Sequence, residues 1–312
     1  MAKLAFLFPG QGAQTTGMGR DFAESFPSAA RVFEEAGRTL GWDVAARCFE
    51  GPQEELDRTS VSQPAILTTS VAIVAALREA GAGQVLECAA AAGLSLGEYS
   101  ALVMAGALNF TDALRLVQQR GRFMEEACAQ NPGAMASVIG LDDEIVEALC
   151  AQAREVGMVV AANFNCPGQV VVSGARDAVA RLSDLARERG ARKVVPLAVS
   201  GAFHSPLMEP AAARLDAALK ATPFAPCTMP VIANVTAEPV RAPDEVRSAL
   251  ARQVKSPVLW SRSVRRLAQE GCTRFVEVGP GKVLTGLVKR IAPECKVANV
   301  SSVEALRAGL DV

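Results

Sequence analysis

Apolar and polar positions along this chain fall into short blocks that switch between strand-like and helix-like spacing. KLAFLF, at Lys3–Phe8, is an apolar run that stops at Pro9-Gly10, the pattern of a buried strand. Helical periodicity follows over residues 21–40 and 63–79. An alanine-rich strand over 88–92 runs into Gly93, and helices are predicted over 96–105 and 111–129. Asn131-Pro132-Gly133 is a loop signal, and the character of the chain changes there. Beyond it the spacing predicts strand 134–139, helix 142–156, strand 159–163, strand 169–173, helix 176–189 and strand 192–199. Asn165-Cys166-Pro167-Gly168 turns the chain between the middle two strands. The order βαββαβ is that of a split-βαβ, or ferredoxin-like, module. After about Ser200 the pattern returns to that of the first region, with a strand over 274–277 leading through Gly279-Pro280-Gly281 into a helix. The expectation is an α/β protein with a largely parallel sheet. Residues 1–130 and 199–312 would form its large domain, and residues 131–198 an inserted small one.

Composition narrows the classes further. A chain of 312 residues, 50% hydrophobic and 21% charged, has ample material for a packed core. Lys+Arg 32 against Asp+Glu 33 leaves a net charge of -1, so no overall basic field draws nucleic acid or anionic lipid. The 8 cysteines include no C-x-x-C pair and no Cys-His cluster, which argues against structural zinc and for reduced, buried thiols. MAKLAFLFPGQG is too short in its apolar part for a secretory signal. The longest apolar stretch, 65–77, carries Thr68, Thr69 and Ser70 and is expected to fall short of a membrane span. A soluble cytoplasmic protein is expected, and a monomer, since no segment advertises an interface.

The sharpest local signal is Gly93-Leu94-Ser95-Leu96-Gly97, between an apolar strand and an amphipathic helix. In that setting the glycines allow a cramped strand-to-helix turn that exposes a serine Oγ, and the helix N-terminus offers N–H groups to a developing oxyanion. The bland alternative is a tight turn with a serine cap. A serine nucleophile needs a base, and the chain holds one histidine, His204. A lone histidine is usually structural, but only this one could activate Ser95. It sits where the chain re-enters the first region, at a strand end, and such ends are where sites form in open α/β sheets. No acidic partner for it stands out, and a backbone carbonyl would serve its other ring nitrogen.

In the helix over 111–129, Ala113, Leu114, Val117, Gly121, Met124 and Cys128 share one face. Arg120 falls inside or beside that stripe, whereas Arg115 and Arg122 point the other way. An arginine so placed needs an anionic partner. Two readings stay open: a partly buried salt bridge to a protein carboxylate, or a fork for a substrate carboxylate. The loop FPGQGAQ after the first strand resembles a dinucleotide fingerprint, but Thr15 stands where that motif wants glycine. A loop beside the elbow strand is better suited to supplying a second oxyanion donor.

Together these residues resemble the malonyl-CoA:acyl carrier protein transacylases and the related acyltransferase domains of fatty-acid and polyketide synthases. The resemblance runs through FPGQGAQ (8–14), GLSLGEYSAL (93–102), QRGRFM (119–124), NCPGQVVVSG (165–174), SGAFHSPLM (200–208), QVKSPVLW (253–260) and EVGPGKVL (277–284). It implies a large α/β-hydrolase-like domain, a small ferredoxin-like domain and a site between them. It also implies Ser95 as nucleophile, His204 as base, and backbone N–H groups of Gln11 and Leu96 as the oxyanion hole. Arg120 would hold the malonyl carboxylate, Gln253 would orient His204 through its backbone carbonyl, and Met124 and Phe203 would line the acyl pocket. Phe203 beside the histidine matches the malonyl-selective form. Leu94 departs from the family, which often has histidine before the nucleophile, and so leaves a dyad with no second imidazole. The implied substrates are malonyl-CoA and the phosphopantetheine thiol of acyl carrier protein, with no bound cofactor, nucleic acid or membrane. A serine hydrolase would share the elbow but give no reason for Arg120. A nucleotide-dependent oxidoreductase would need the glycine loop, and a non-catalytic scaffold would leave Ser95 unreactive.

Overall fold

The computed structural model describes residues 3–81, 88–199 and 201–309; Met1, Ala2 and Ser200, all quoted above, lie outside them. Two sheets account for the strand signals. In the first, the apolar runs β1 (Lys3–Phe8), β2 (Ala90–Gly93), β7 (Val231–Ile232), β9 (Cys272–Val278) and β10 (Lys296–Val300) pair in parallel, with β8 (Pro239–Val240) antiparallel at one edge. The order is β10-β9-β1-β2-β7-β8. Continuous apolar runs such as LAFLF fit this position, because helices cover both faces of a parallel sheet and every side chain is buried. The second sheet is antiparallel throughout, in the order β4 (Val159–Cys166), β5 (Gln169–Ala175), β3 (Gly133–Ile139), β6 (Lys193–Pro196). It carries the helices Asp143–Ala153 and Arg176–Glu188 and packs them over its own apolar cluster. A mixed α/β architecture with a mostly parallel sheet is what the pattern predicted.

Several elements differ from expectation. The helical pattern over 21–40 is two helices, Arg20–Ser25 and Pro27–Leu40. Pro27 forces Phe26 into extended backbone (φ -131, ψ 112) and starts the second helix, where its missing N–H costs nothing. The helix expected from residue 63 begins at Thr59 and runs to Glu79. At 21 residues, with a mean hydropathy of 1.5 over its most apolar 18-residue window, it is long and apolar enough to cross a membrane, contrary to expectation. Its hydroxyls do not interrupt it, because Thr68 and Thr69 donate back to the carbonyls of Pro64 and Ala65. Of its most apolar window, 78% is buried inside the fold, so it serves here as a core helix. Strands β7, β8 and β10 and the helices Glu209–Ala221, Pro243–Gln253 and Trp260–Gln269 were not predicted.

The two sheets are stitched together beside β2. Val258 N–H donates to Ala162 O at 2.8 Å and Phe164 N–H to Val258 O at 3.0 Å, so β4 is tied to the segment before the helix Trp260–Gln269. Ser173 Oγ donates to Phe203 O at 2.6 Å, tying the antiparallel sheet to the residue before His204.

Candidate active site

The turn after β2 is as cramped as its glycines suggest. A Cβ on Gly93 would stand 1.9 Å from the backbone carbon of Gly97, and one on Gly97 would stand 2.1 Å from Phe8 O. Neither position has room for any side chain. Between them Ser95 adopts φ 53, a left-handed conformation that costs a non-glycine residue about 1–2 kcal/mol. Asn234, at the end of β7, holds the turn: Ser95 N–H donates to its Oδ1 at 2.6 Å, and its Nδ2 donates to Gly93 O at 2.7 Å. From this strained turn the Ser95 hydroxyl meets His204 and Arg120.

His204 is the second non-glycine residue of the site held left-handed, at φ 57. Its Nδ1 lies 2.9 Å from Gln253 O and its Nε2 lies 2.8 Å from Ser95 Oγ. A carbonyl can only accept, so Nδ1 carries the proton in the neutral ring and Nε2 is left to accept from the serine hydroxyl. Burial, reinforced by the Arg120 charge, pushes the His204 pKa down to about 4. The imidazole is therefore the free base at neutral pH.

Arg120 is 1% exposed, behind the serine. Its Nη1 donates to Gln63 Oε1 at 2.8 Å, and its Nη2 donates to Ser95 Oγ and Gln253 Oε1, both at 3.0 Å. It lies over the Tyr99 ring, 5.7 Å from the centroid, and its buried Nε has no partner. Of the two readings left open for Arg120, the bridge to a protein carboxylate is not formed among the described residues. Arg115 and Arg122 are solvent-exposed, with side chains 57% and 66% accessible.

Two residues of this network carried no flag in the sequence reading. Glu98 is 1% exposed and accepts from Asn234 N–H at 3.0 Å and Gln253 Nε2 at 2.7 Å. Burial pushes its carboxyl up to about 7, against the pull of those hydrogen bonds and of Arg120. Asn234 is the other. A glutamate in the apolar helix segment GEYSALVM is as anomalous as Arg120 on its own stripe, and the same test would have found it.

Ser95 and His204 open into a cleft of about 500 Å³ between the sheets. The loop Pro9 to Gln14 lines one side, and Met135, Asn163 and Val171 of the antiparallel sheet line the other. Met124 and Phe203 also line it; Arg120, Gln253 and Leu96 do not, and lie behind the serine–histidine pair. Because β1 pairs with β2, the Gly10 loop lies against the elbow, where a Cβ on Gly10 would meet Leu94 O at 2.3 Å. The backbone N–H groups of Gln11 and Leu96 donate to nothing among the described residues, whereas that of Ser95 is taken by Asn234. Competing nucleophiles are subdued. None of the eight cysteines is in a disulfide, seven are buried, and burial raises Cys48 to about 12 and Cys88 to about 11. No cluster of three or more metal-ligating side chains occurs among the described residues.

Comparison with known proteins places nearly the whole chain among acyltransferases. The family described as "Acyl transferase domain" matches residues 5–307. The malonyl CoA-acyl carrier protein transacylase of Bacillus subtilis is 46% identical over 98% of this chain and 96% of its own. That of Escherichia coli K12 is 45% identical over the whole of both chains. Among solved structures, a malonyl-transacylase in complex with its type II PKS acyl-carrier protein superposes with a TM-score of 0.95 at 41% identity, over 99% of each chain. The acyl carrier protein S-malonyltransferase of Vibrio cholerae gives 0.94 at 43% identity, over 98% of this chain and 99% of that one.

Proposed function

The chain belongs to the acyl transferase domain family, and on that premise we propose that it carries a malonyl group from malonyl-CoA to the phosphopantetheine thiol of an acyl carrier protein. The observation that carries this reading is the position of Ser95 Oγ, 2.8 Å from His204 Nε2 and 3.0 Å from Arg120 Nη2. One hydroxyl is thereby joined to a base and to a cation suited to the free carboxylate of a malonyl group.

In the first half-reaction Ser95 Oγ attacks the thioester carbonyl and its proton passes to His204 Nε2. The tetrahedral oxyanion is met by the Gln11 and Leu96 N–H groups. As the carbon–sulfur bond breaks, His204 returns the proton to the coenzyme A sulfur, leaving malonyl-serine and a thiol. In the second half-reaction His204 takes the proton of the carrier thiol, the sulfur attacks the ester, and Ser95 is reprotonated as it leaves. Gln253 O fixes the tautomer throughout. Arg120 holds the malonyl carboxylate beside the serine, and Met124 and Phe203 bound the acyl pocket. Protein groups alone suffice, with no resident cofactor.

The same reading takes residues 1–130 and 199–312 as an α/β-hydrolase-like catalytic domain and 131–198 as an inserted ferredoxin-like one. The elbow after β2 supports the first, and the strand order β4-β5-β3-β6 supports the second. It takes the protein as a cytoplasmic monomer feeding fatty-acid or polyketide synthesis. The test is steady-state kinetics with both substrates varied, alongside a control with water as sole acceptor. Parallel double-reciprocal lines with little hydrolysis are expected. Release of free malonate at the same rate without the carrier thiol would make the protein a hydrolase.

A further inference from the structure

A fully buried guanidinium with no carboxylate bonded to it calls for an explanation. Gln63, Ser95 and Gln253 give Arg120 neutral oxygens only, and an uncompensated buried cation is costly. The answering anion is reached through a single side chain. The Gln253 amide accepts from Arg120 at its Oε1 (3.0 Å) and donates from its Nε2 to Glu98 Oε2 (2.7 Å). The same Nε2 donates to Ser95 O at 2.9 Å, so the amide cannot flip without breaking all of these contacts. We propose that Glu98 is the buried counter-charge of Arg120, a positioning residue that acts through the Gln253 amide and leaves the guanidinium free to take a substrate carboxylate.

The logic is one of graded distance. A glutamate bonded directly to Arg120 would have to be displaced whenever substrate bound, at the cost of breaking a buried ion pair. No anion at all would leave the cation unsupported before substrate arrived. An anion one amide away stabilises the cation and leaves only neutral oxygens on the fork for a substrate carboxylate to displace. Burial raises the Glu98 pKa and lowers that of Arg120, and the opposite charge of each partner works against that burial. The competing explanation is that Glu98 serves only as an oxygen acceptor for Asn234 N–H and Gln253 Nε2.

Glu98→Gln separates the two, because it keeps the oxygen and removes the charge. The first measurement is a thermal double-mutant cycle of the wild type, Glu98→Gln, Arg120→Gln and the double variant. Each single change lowers the melting temperature, and the double variant loses clearly less than the sum, because no unpaired charge remains. Additive losses overturn the proposal. If Glu98→Gln fails to fold, a folded double variant supports the pairing and an unfolded one overturns it. The second measurement rests on the malonyl reading above. Removing a negative charge near the carboxylate site raises the malonyl-to-acetyl ratio of kcat/KM on the order of tenfold, through a lower KM for malonyl-CoA. A loss of kcat shared by both acyl groups marks Glu98 as mere structural support and overturns the proposal. Arg120→Ala keeps the two conclusions apart: if it retains the malonyl preference, the malonyl reading fails, while the melting cycle still judges the pairing.

Discussion

In the antiparallel sheet and its helices, every residue with positive φ is a glycine: Gly140, Gly157, Gly168 and Gly190. In the region built on the parallel sheet, three residues hold that conformation without being glycine: Ala237 in the turn between β7 and β8, and Ser95 and His204 at the site. Buried charge divides in the same way. Glu98, Arg120 and Glu277 are all buried in the parallel-sheet region, while the fully buried polar residues described between 133 and 196 are neutral. One region is relaxed and apolar, and supplies a wall to the cleft. The other brings two strained residues, Ser95 and His204, together with a buried charge, Arg120, within hydrogen-bonding distance of one hydroxyl, and neither strain nor buried charge persists unless the surrounding packing over-determines it. The contrast locates the chemistry without reference to any motif.

The steepest test of the contrast is His204→Ala. Transfer is expected to fall about 10⁴-fold or more, since removing one member of a serine–histidine pair disables the unit. Near-normal transfer would make the imidazole structural. Arg120→Ala comes next. A desolvated charge pair with substrate is worth on the order of 2–5 kcal/mol, so malonyl transfer should drop roughly 30- to several-thousand-fold while acetyl transfer is spared. Arg120→Lys should recover part of the loss, since an ammonium lacks the fork, and Arg115→Ala and Arg122→Ala should change neither activity. Equal loss for both acyl groups would contradict the carboxylate role.

Two glycines sharpen the comparison in stability. Gly97→Ala forces a Cβ to 2.1 Å from Phe8 O and should cost more than about 4 kcal/mol in denaturant melts, or prevent folding. Gly168→Ala, at φ 69 with its nearest neighbours (Gly140 Cα and N) an ordinary 4.0 Å from the added Cβ, should cost only about 1–2 kcal/mol. Leu182→Ala, in the separate apolar core, should lower stability by about 2–5 kcal/mol yet leave the rate of Ser95 acylation per folded molecule within a fewfold. The smallest effect is in pH. With the folded His204 pKa held near 4, acetyl transfer, which does not sense the carboxylate site, should rise through that value with no step near 6.5, whereas malonyl transfer should also decline as Glu98 ionises near 7. The linked stability has a definite sign. A histidine whose pKa is depressed on folding contributes nothing adverse above its unfolded pKa, and the fold weakens as pH drops from there towards 4. A rate profile centred near 6.5 would show the ring to be solvated.

Much of this site was legible because it is local. Gly93 to Gly97 lies in one turn, and the anomaly of Arg120 shows in a single helix. Gln253 was reached only through the family resemblance, and Glu98 and Asn234 not at all, because their roles exist only where β7, the elbow helix and the helix Pro243–Gln253 converge. The missed strands have a similar cause. β7 and β8 are two residues long; β7 owes its existence to the ladder with β2 and β8 to its pairing with β7, not to any run of their own. The split of the helical pattern at Pro27 was readable from the proline, but the periodicity continued across it and masked the break.

The central claim is that one strained serine carries the acyl group between two thiols. It is tested most directly by the mass of the intact protein after malonyl-CoA is added, and again after the phosphopantetheinylated carrier protein follows. The account predicts a single malonyl group on the peptide containing Gly93 to Gly97, absent in Ser95→Ala, and lost when the carrier gains the same mass. Label on any of the eight cysteines, or label on Ser95 that the carrier thiol cannot remove, would contradict it.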